Sequence, residues 1–444
     1  MSQDKLKKNQ MNNLRLFLFA LVLLCCQTVS AQPLYFPPIS STETWETTDP
    51  ASLSWCPEKI NELYDFLEQE NTKGFIILKD GKIVLERYFG TFTNQNLWYW
   101  ASAGKTITAF LIGKAQEENL LSINDRTSQY LGEGWTNCSI EQENNITIRN
   151  QLTMTSGLDD GVPDSNCTTN TCLNYLADAG TRWAYHNAPY TLLEGVLENA
   201  TGLPINTYTQ QKLKNLTGMN GSWVTVDFNN VFFSSVRSMA RFGLLIQGNG
   251  VWDGNQLINS NYFNEMVNTS QSLNKSYGYL WWLNGKPSYM LPTTQFVFPG
   301  SYAPDAPADM ISGLGRDGQI VSISQSRGLV FVRMGEAPNS ASSDIATVLC
   351  NQIWQKIDEL VCNLAVATPE KGSIVISPNP ALNHITISTE RSEDFHVDVF
   401  DLVGNSVLKV YNERDIDISQ LSAGVYIISF EQGDTRITQK LIKK

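Results

Sequence analysis

Two hydrophobic periods divide the chain. Ile60, Leu63, Tyr64 and Leu67 recur at three- and four-residue spacing behind Pro57, which predicts a helix with proline at an early position. Gly74 to Leu78 and Lys82 to Tyr88 then read as two strands joined at Asp80-Gly81, a dipeptide that suits a two-residue hairpin. Helical spacing returns at Ile107, Phe110 and Leu111, and again at Tyr190, Leu192, Leu193, Val196 and Leu197. Ile320 to Ser324 and Gly328 to Met334 read as a second strand pair. A closing helix follows from about Ser343, with Ile345, Val348, Leu349, Ile353, Trp354 and Ile357 on its face. Helix, strand pair, long central segment, strand pair and helix predict an antiparallel sheet flanked by terminal helices, beside an all-helical region: an α+β architecture.

After Leu360 the pattern changes. Val366 to Lys371 reads as a linker, and Ile374 to Pro380 opens a tail of alternating segments. His384 to Ile387, Val397 to Phe400 and Gly424 to Ile428 read as strands of a small C-terminal β-sandwich.

The length of 444 residues fits one large domain plus a smaller one. A net charge of -12, with no basic run to neutralise phosphates, excludes a nucleic-acid partner. At the N-terminus Lys5, Lys7, Lys8 and Arg15 precede the apolar run Leu16 to Cys26, and Val29-Ser30-Ala31 offers a small-residue cleavage site before Gln32. That run is shorter than the ~20 apolar residues a membrane span needs, so a secretion signal over residues 1–31 is expected and no stable membrane span. Six cysteines remain after the signal, an even number in an exported protein, so disulfides are expected. Cys167 and Cys172 flank a short polar loop suited to a local bridge; Cys56, Cys138, Cys350 and Cys362 leave three pairings open.

Candidate chemistry centres on Trp100-Ala101-Ser102-Ala103-Gly104-Lys105-Thr106, at the start of a helical pattern. Three residues separate Ser102 from Lys105, which puts both side chains on one helix face. A serine hydroxyl needs a base to become a nucleophile, and a lysine can serve if burial lowers its pKa. Trp183-Ala184-Tyr185-His186-Asn187 supplies a phenol that can relay a proton and an amide that can orient a lysine and a substrate carbonyl. Ser312-Gly313-Leu314-Gly315 enters a strand where glycines would let a substrate approach the backbone. Of the 3 histidines only His186 lies outside the tail, and no G-x-S-x-G elbow is present, so a Ser-His-Asp triad is starved of parts. Lysine and tyrosine are the available bases, and His186 reads as a lining or structural residue. Trp98, Trp100, Trp281 and Trp282 are equally suited to lining the cleft or filling the core.

In this order, Ser102-x-x-Lys105, Tyr185-x-Asn187 and a small-residue glycine motif resemble the serine beta-lactamase and penicillin-binding-protein superfamily, specifically the class C-related serine hydrolases. The resemblance extends over connecting segments such as Leu152-Thr153-Met154-Thr155-Ser156-Gly157-Leu158, Ser238 to Leu245 and Tyr277-Gly278-Tyr279-Leu280-Trp281-Trp282, from roughly Ser54 to Leu360. It implies a beta-lactamase/transpeptidase-like fold and an acyl-enzyme on Ser102, with Lys105 and Tyr185 moving the proton. It also implies that Asn187, Ser312, Gly313 and Leu314 contact substrate, and that the backbone N–H groups of Ser102 and Leu314 form an oxyanion hole. No metal or organic cofactor is needed for that chemistry. Family members acting on penicillins or peptides usually carry lysine or histidine first in the third motif, where Ile311 precedes Ser312-Gly313 here. Esters or uncharged amides are therefore expected to be better substrates than penicillins. The tail resembles the C-terminal sorting domain of the type IX secretion system.

The chain is thus expected to comprise a signal peptide (1–31), an N-terminal extension (32–53), a serine hydrolase domain (54–365), a linker (366–373) and a sorting domain (374–444). Its expected function is hydrolysis of a small-molecule ester or amide outside the cell or at its surface. Its expected partner is the type IX secretion machinery. The competing reading is a catalytically weak penicillin- or cell-wall-binding protein on the same fold.

Overall fold

A computed structural model describes residues 34–40, 44–340, 345–362, 375–388, 394–401, 404–432 and 435–444. The expected signal peptide and linker lie outside the described residues. The chain divides into two compact units, Met1–Cys362 and Asn363–Lys444.

In the larger unit, helix α1 (Pro57–Gln69) starts at its proline, with Glu58 in the first turn. Its Leu63 and Leu67 are fully buried, while Ile60 and Tyr64 flank them half-buried. Strands β1 (Thr72–Lys79) and β2 (Lys82–Tyr88) follow as the hairpin predicted, and both turn residues, Asp80 and Gly81, take positive φ. The six-stranded sheet is completed by β5 (Trp282–Leu283), β6 (Ile311–Gly315), β7 (Gln319–Ser324) and β8 (Leu329–Gly335), in the order β2-β1-β8-β7-β6-β5. Every pairing is antiparallel. The central strands β7 and β8 are buried throughout, because both faces of the sheet are covered. One cover is the closing helix (Thr347–Asp358), whose Trp354 packs edge-to-face with Phe331 and donates to Ser322 Oγ at 2.9 Å. Val348, expected on its inner face, is instead half-exposed. The other cover is the helix Val236–Gln247, whose Gly243 backs onto Val330 and Val321.

Between the strand pairs lies the helical region. Its central helix α2 (Lys105–Glu117) is buried over nearly its whole length, so the apolar stripe read from sequence is part of a helix enclosed on all sides. A short hairpin, β3 (Ser222–Val226) and β4 (Asn229–Ser234), packs its Phe232 against Trp100, just ahead of α2. A disulfide joins Cys56 to Cys362, tying together the two ends of this unit, and a second joins Cys167 to Cys172. Cys138 and Cys350 are free thiols, Cys350 deeply buried.

The smaller unit holds a three-stranded sheet (Val375–Ser377, His384–Ser388, Asp415–Asp417) and a four-stranded sheet (Ser406–Tyr411, His396–Phe400, Gly424–Gln432, Thr435–Lys443). Ile385, Ile387 and Ile416 of the first pack with Val397, Val399, Ile428 and Phe430 of the second, consistent with the expected sandwich.

Candidate active site

Ser102 sits in a single 3₁₀ turn, Ala101–Gly104, that runs directly into α2. Trp100 anchors the turn: its backbone N–H donates to Phe232 O at 2.8 Å and its indole to Ser234 Oγ at 2.8 Å. Ala101 is held at φ 46°, a conformation that costs a non-glycine residue of order 1–3 kcal/mol. The turn is thereby over-determined just before the serine, and Ser102 itself is half-exposed.

One helical turn on, Lys105 is 4% exposed and its ammonium nitrogen lies 2.9 Å from Ser102 Oγ. No carboxylate pairs with it among the described residues. Its surroundings are instead the rings of Tyr190 at 4.3 Å and Tyr185 at 5.1 Å. Burial pushes its pKa down to about 7, so near neutrality a large fraction is the free amine that can accept a proton. The Tyr185 phenol reaches Ser102; burial raises its pKa and that hydrogen bond partly opposes the rise. Stacking on Trp282 and an edge contact with Tyr277 fix the Tyr185 ring.

Asn187 opens the short helix Asn187–Thr191 and donates from Nδ2 to Asn166 Oδ1 at 2.9 Å. Asn166 in turn donates from Nδ2 (3.2 Å) and from its backbone N–H (2.9 Å) to Asp164 Oδ1. A carboxylate only accepts, so Asp164 dictates which way both amides face. Ser102, Lys105, Tyr185 and Asn187 all line one cleft of about 580 Å³, together with Ser165, Asn166 and Tyr190.

The third motif runs beside the serine turn, but its first three residues stay out of the cleft. Ser312 is buried with its hydroxyl 2.8 Å from Tyr302 OH, and Leu314 is likewise buried. Gly313 packs on Thr106 and Ala103. None of the three lines the cleft, and neither does Ile311, which is paired to Ile323 and Leu283. The strand comes closest to the serine turn at Gly315, the last residue of the motif: a Cβ there would lie 2.4 Å from Trp100 O and 3.0 Å from Ala103 N. Beyond it Arg316 and Asp317 line the cleft. The segment nearest Ser102 is therefore the C-terminal end of the strand, and Ile311 lies outside the cleft lining.

Buried Arg333 fixes that turn. Its guanidinium donates to Asp317 O (2.9 Å), Gly318 O (2.7 Å), Thr72 Oγ1 (3.0 Å) and Glu336 O (3.1 Å). Gly318 has φ 76°, and a Cβ there would strike the guanidinium. Tyr99 OH donates to Asp317 Oδ2 at 2.7 Å.

His186 is buried and does not line the cleft, and burial pushes its imidazole down to about 4. The four tryptophans do not line the cleft; Trp100, Trp281 and Trp282 are fully buried core. Sequence reasoning missed Tyr190, although it lies three residues after Asn187 and so on the same helical face. It also missed Asn166, Arg316 and Arg333, for which no pattern in the chain gave a sign.

Residues 67–347 match the Beta-lactamase family, and residues 375–444 match the Secretion system C-terminal sorting domain. No curated protein sequence matches the chain. Three solved structures with the same fold are a candidate 6-aminohexanoate-dimer hydrolase from Bacillus anthracis, a family VIII carboxylesterase and the octameric penicillin-binding protein homologue from Pyrococcus abyssi. The first is 18% identical, with a TM-score of 0.55 over 74% of this chain and 89% of its own. The esterase is 12% identical, with a TM-score of 0.52 over 69% and 98%. The archaeal protein is 14% identical, with a TM-score of 0.50 over 87% and 96%.

Proposed function

The chain belongs to the beta-lactamase family and carries a type IX sorting domain that directs it to the cell surface or beyond, and on that premise we propose that it is a serine hydrolase cleaving an ester or amide through an acyl-enzyme on Ser102. The observation that carries this reading is the buried, carboxylate-free Lys105 amine 2.9 Å from Ser102 Oγ.

In the proposed cycle the Lys105 amine takes the Ser102 proton as Oγ bonds to the substrate carbonyl carbon, and negative charge collects on the carbonyl oxygen. The backbone N–H groups of Ser102 and Arg316 receive that oxyanion. Arg316 replaces Leu314 in this role because Gly315 is where the strand meets the serine turn. The C–O or C–N bond then breaks, and the leaving group takes its proton from Lys105 by way of Tyr185. Water, deprotonated along the same path, attacks the acyl-enzyme and releases the acid with Ser102 restored.

The test is hydrolysis of 4-nitrophenyl butyrate. Ser102→Ala and Lys105→Ala should each lower kcat/KM by roughly 10³-fold or more, and the double variant should be scarcely worse than either, because the two residues act on one step. Wild-type turnover surviving in Ser102→Ala would overturn the proposal.

A further inference from the structure

The cleft contains a cation that the acyl-transfer steps leave unused. Arg316 follows the strand end that abuts Ser102, its side chain is exposed, and it lines the same cleft as Ser102 and Lys105. Its guanidinium has no ion pair or hydrogen bond to another described residue. The neighbouring Asp317 is not paired with it: the Asp317 carboxylate accepts instead from Tyr99 OH at 2.7 Å. The backbone beneath is rigid: Arg333 grips the carbonyls of Asp317 and Gly318, so the base of the Arg316 side chain is held in place before any ligand arrives. A fixed fork of N–H donors, left unpaired in a chain of net charge -12 with many carboxylates to spare, suits a planar oxyanion brought by the substrate.

We propose that Arg316 is a specificity-determining residue that pairs with a carboxylate carried by the ester or amide substrate. This rests on the cleft being the hydrolytic site, and it reverses the preference for uncharged substrates drawn from Ile311. Asp227, at the turn of the β3–β4 hairpin, and Asp317 also line the cleft and would oppose an anion, so the preference is moderate in size.

The experiment compares substrates of equal length that differ in charge. In one arm, mono-4-nitrophenyl adipate is set against 4-nitrophenyl hexanoate, placing the carboxylate on the acyl side. In the other, the hexanoyl ester of 4-hydroxybenzoate is set against that of 4-hydroxybenzamide, placing it on the leaving side. Wild type should favour the anion in one arm by about three- to tenfold in kcat/KM. Arg316→Gln, which keeps the backbone N–H, should abolish that preference, read as the ratio of charged to neutral kcat/KM within the variant itself. Arg316→Lys should keep part of it, Asp227→Asn should enlarge it, and added salt should shrink it. Equal rates for charged and neutral esters in both arms, or a preference that survives Arg316→Gln, would overturn the proposal while leaving the Ser102 reading intact. Failure of wild type to turn over any of the four esters would sink both.

Discussion

In the proposed cycle, burying Lys105 among aromatic rings sets the pH at which Ser102 would be activated. With its pKa lowered to about 7, the amine is the minor form below neutrality and the major form above it. The kcat/KM for a neutral ester should fall about tenfold per pH unit below that point and level off above it. Glu194, a carboxyl that burial pushes up to about 7, titrates in the same window and hydrogen-bonds Asn230 on the cleft wall. Glu194→Gln should nevertheless keep the inflection, whereas Lys105→Arg, unable to lose its proton, should be inactive at every pH up to 9. An inflection that moved with Glu194 and ignored Lys105 would reassign the base. The same burial has a cost in stability. Because the folded-state value lies below the ordinary lysine value of 10.5, the unfolded chain holds the extra proton between these two limits, and stability rises with pH across that window. Lys105→Met should therefore be more stable than wild type at pH 6, with the gap closing as pH climbs from about 7 toward 10.5. Denaturant midpoints at several pH values would check it.

Among the elements, the loop from Asp164 to Cys172 is the one whose part in the site is least evident from its composition. Ala188 N–H donates to Ser165 O at 3.1 Å, and Asn187 donates to Asn166, so this loop sets where the helix carrying Tyr190 begins. The Cys167–Cys172 disulfide closes it. Replacing both cysteines with serine should raise KM for 4-nitrophenyl butyrate roughly tenfold through lost positioning, while Tm falls by only a few degrees. An unchanged KM would make the bridge purely structural. The terminal helices, the Asp80-Gly81 hairpin and the Ser102–Lys105 pair were legible because periodicity, turn chemistry and three-residue spacing are local. The Cys167–Cys172 bridge was legible for the same reason. Cys56–Cys362 was not, since 306 residues separate its partners and pairing over that distance is set by the sheet. Within Ser312–Gly315, alternation gives the face of the strand and not which residue meets a distant turn, so the close approach of Gly315 is legible only in the fold. Likewise Arg333 looks like any strand arginine until the sheet brings Asp317, Gly318 and Thr72 around it.

At the scale of the molecule, the long-range Cys56–Cys362 bridge holds both ends of the hydrolase unit against each other, and Cys56 N–H also donates to Leu360 O at 2.8 Å. Breaking it with Cys362→Ser should destabilise the unit by roughly 2–4 kcal/mol, read as a lowered denaturant midpoint with kcat/KM at 25 °C little changed. A variant as stable as wild type would contradict that. The sorting domain marks export, where disulfides persist, and this agrees with bridges at both positions. The proposed cycle passes through one covalent species, the acyl ester of Ser102. Its most direct test is intact-mass spectrometry of acid-quenched enzyme and ester substrate, followed by peptide mapping, with fluorophosphonate labelling in parallel. The account predicts a single adduct of the acyl mass on the peptide containing Ser102, and none in Ser102→Ala. An adduct on any other residue, or turnover with no adduct trapped and no fluorophosphonate labelling of Ser102, would contradict it.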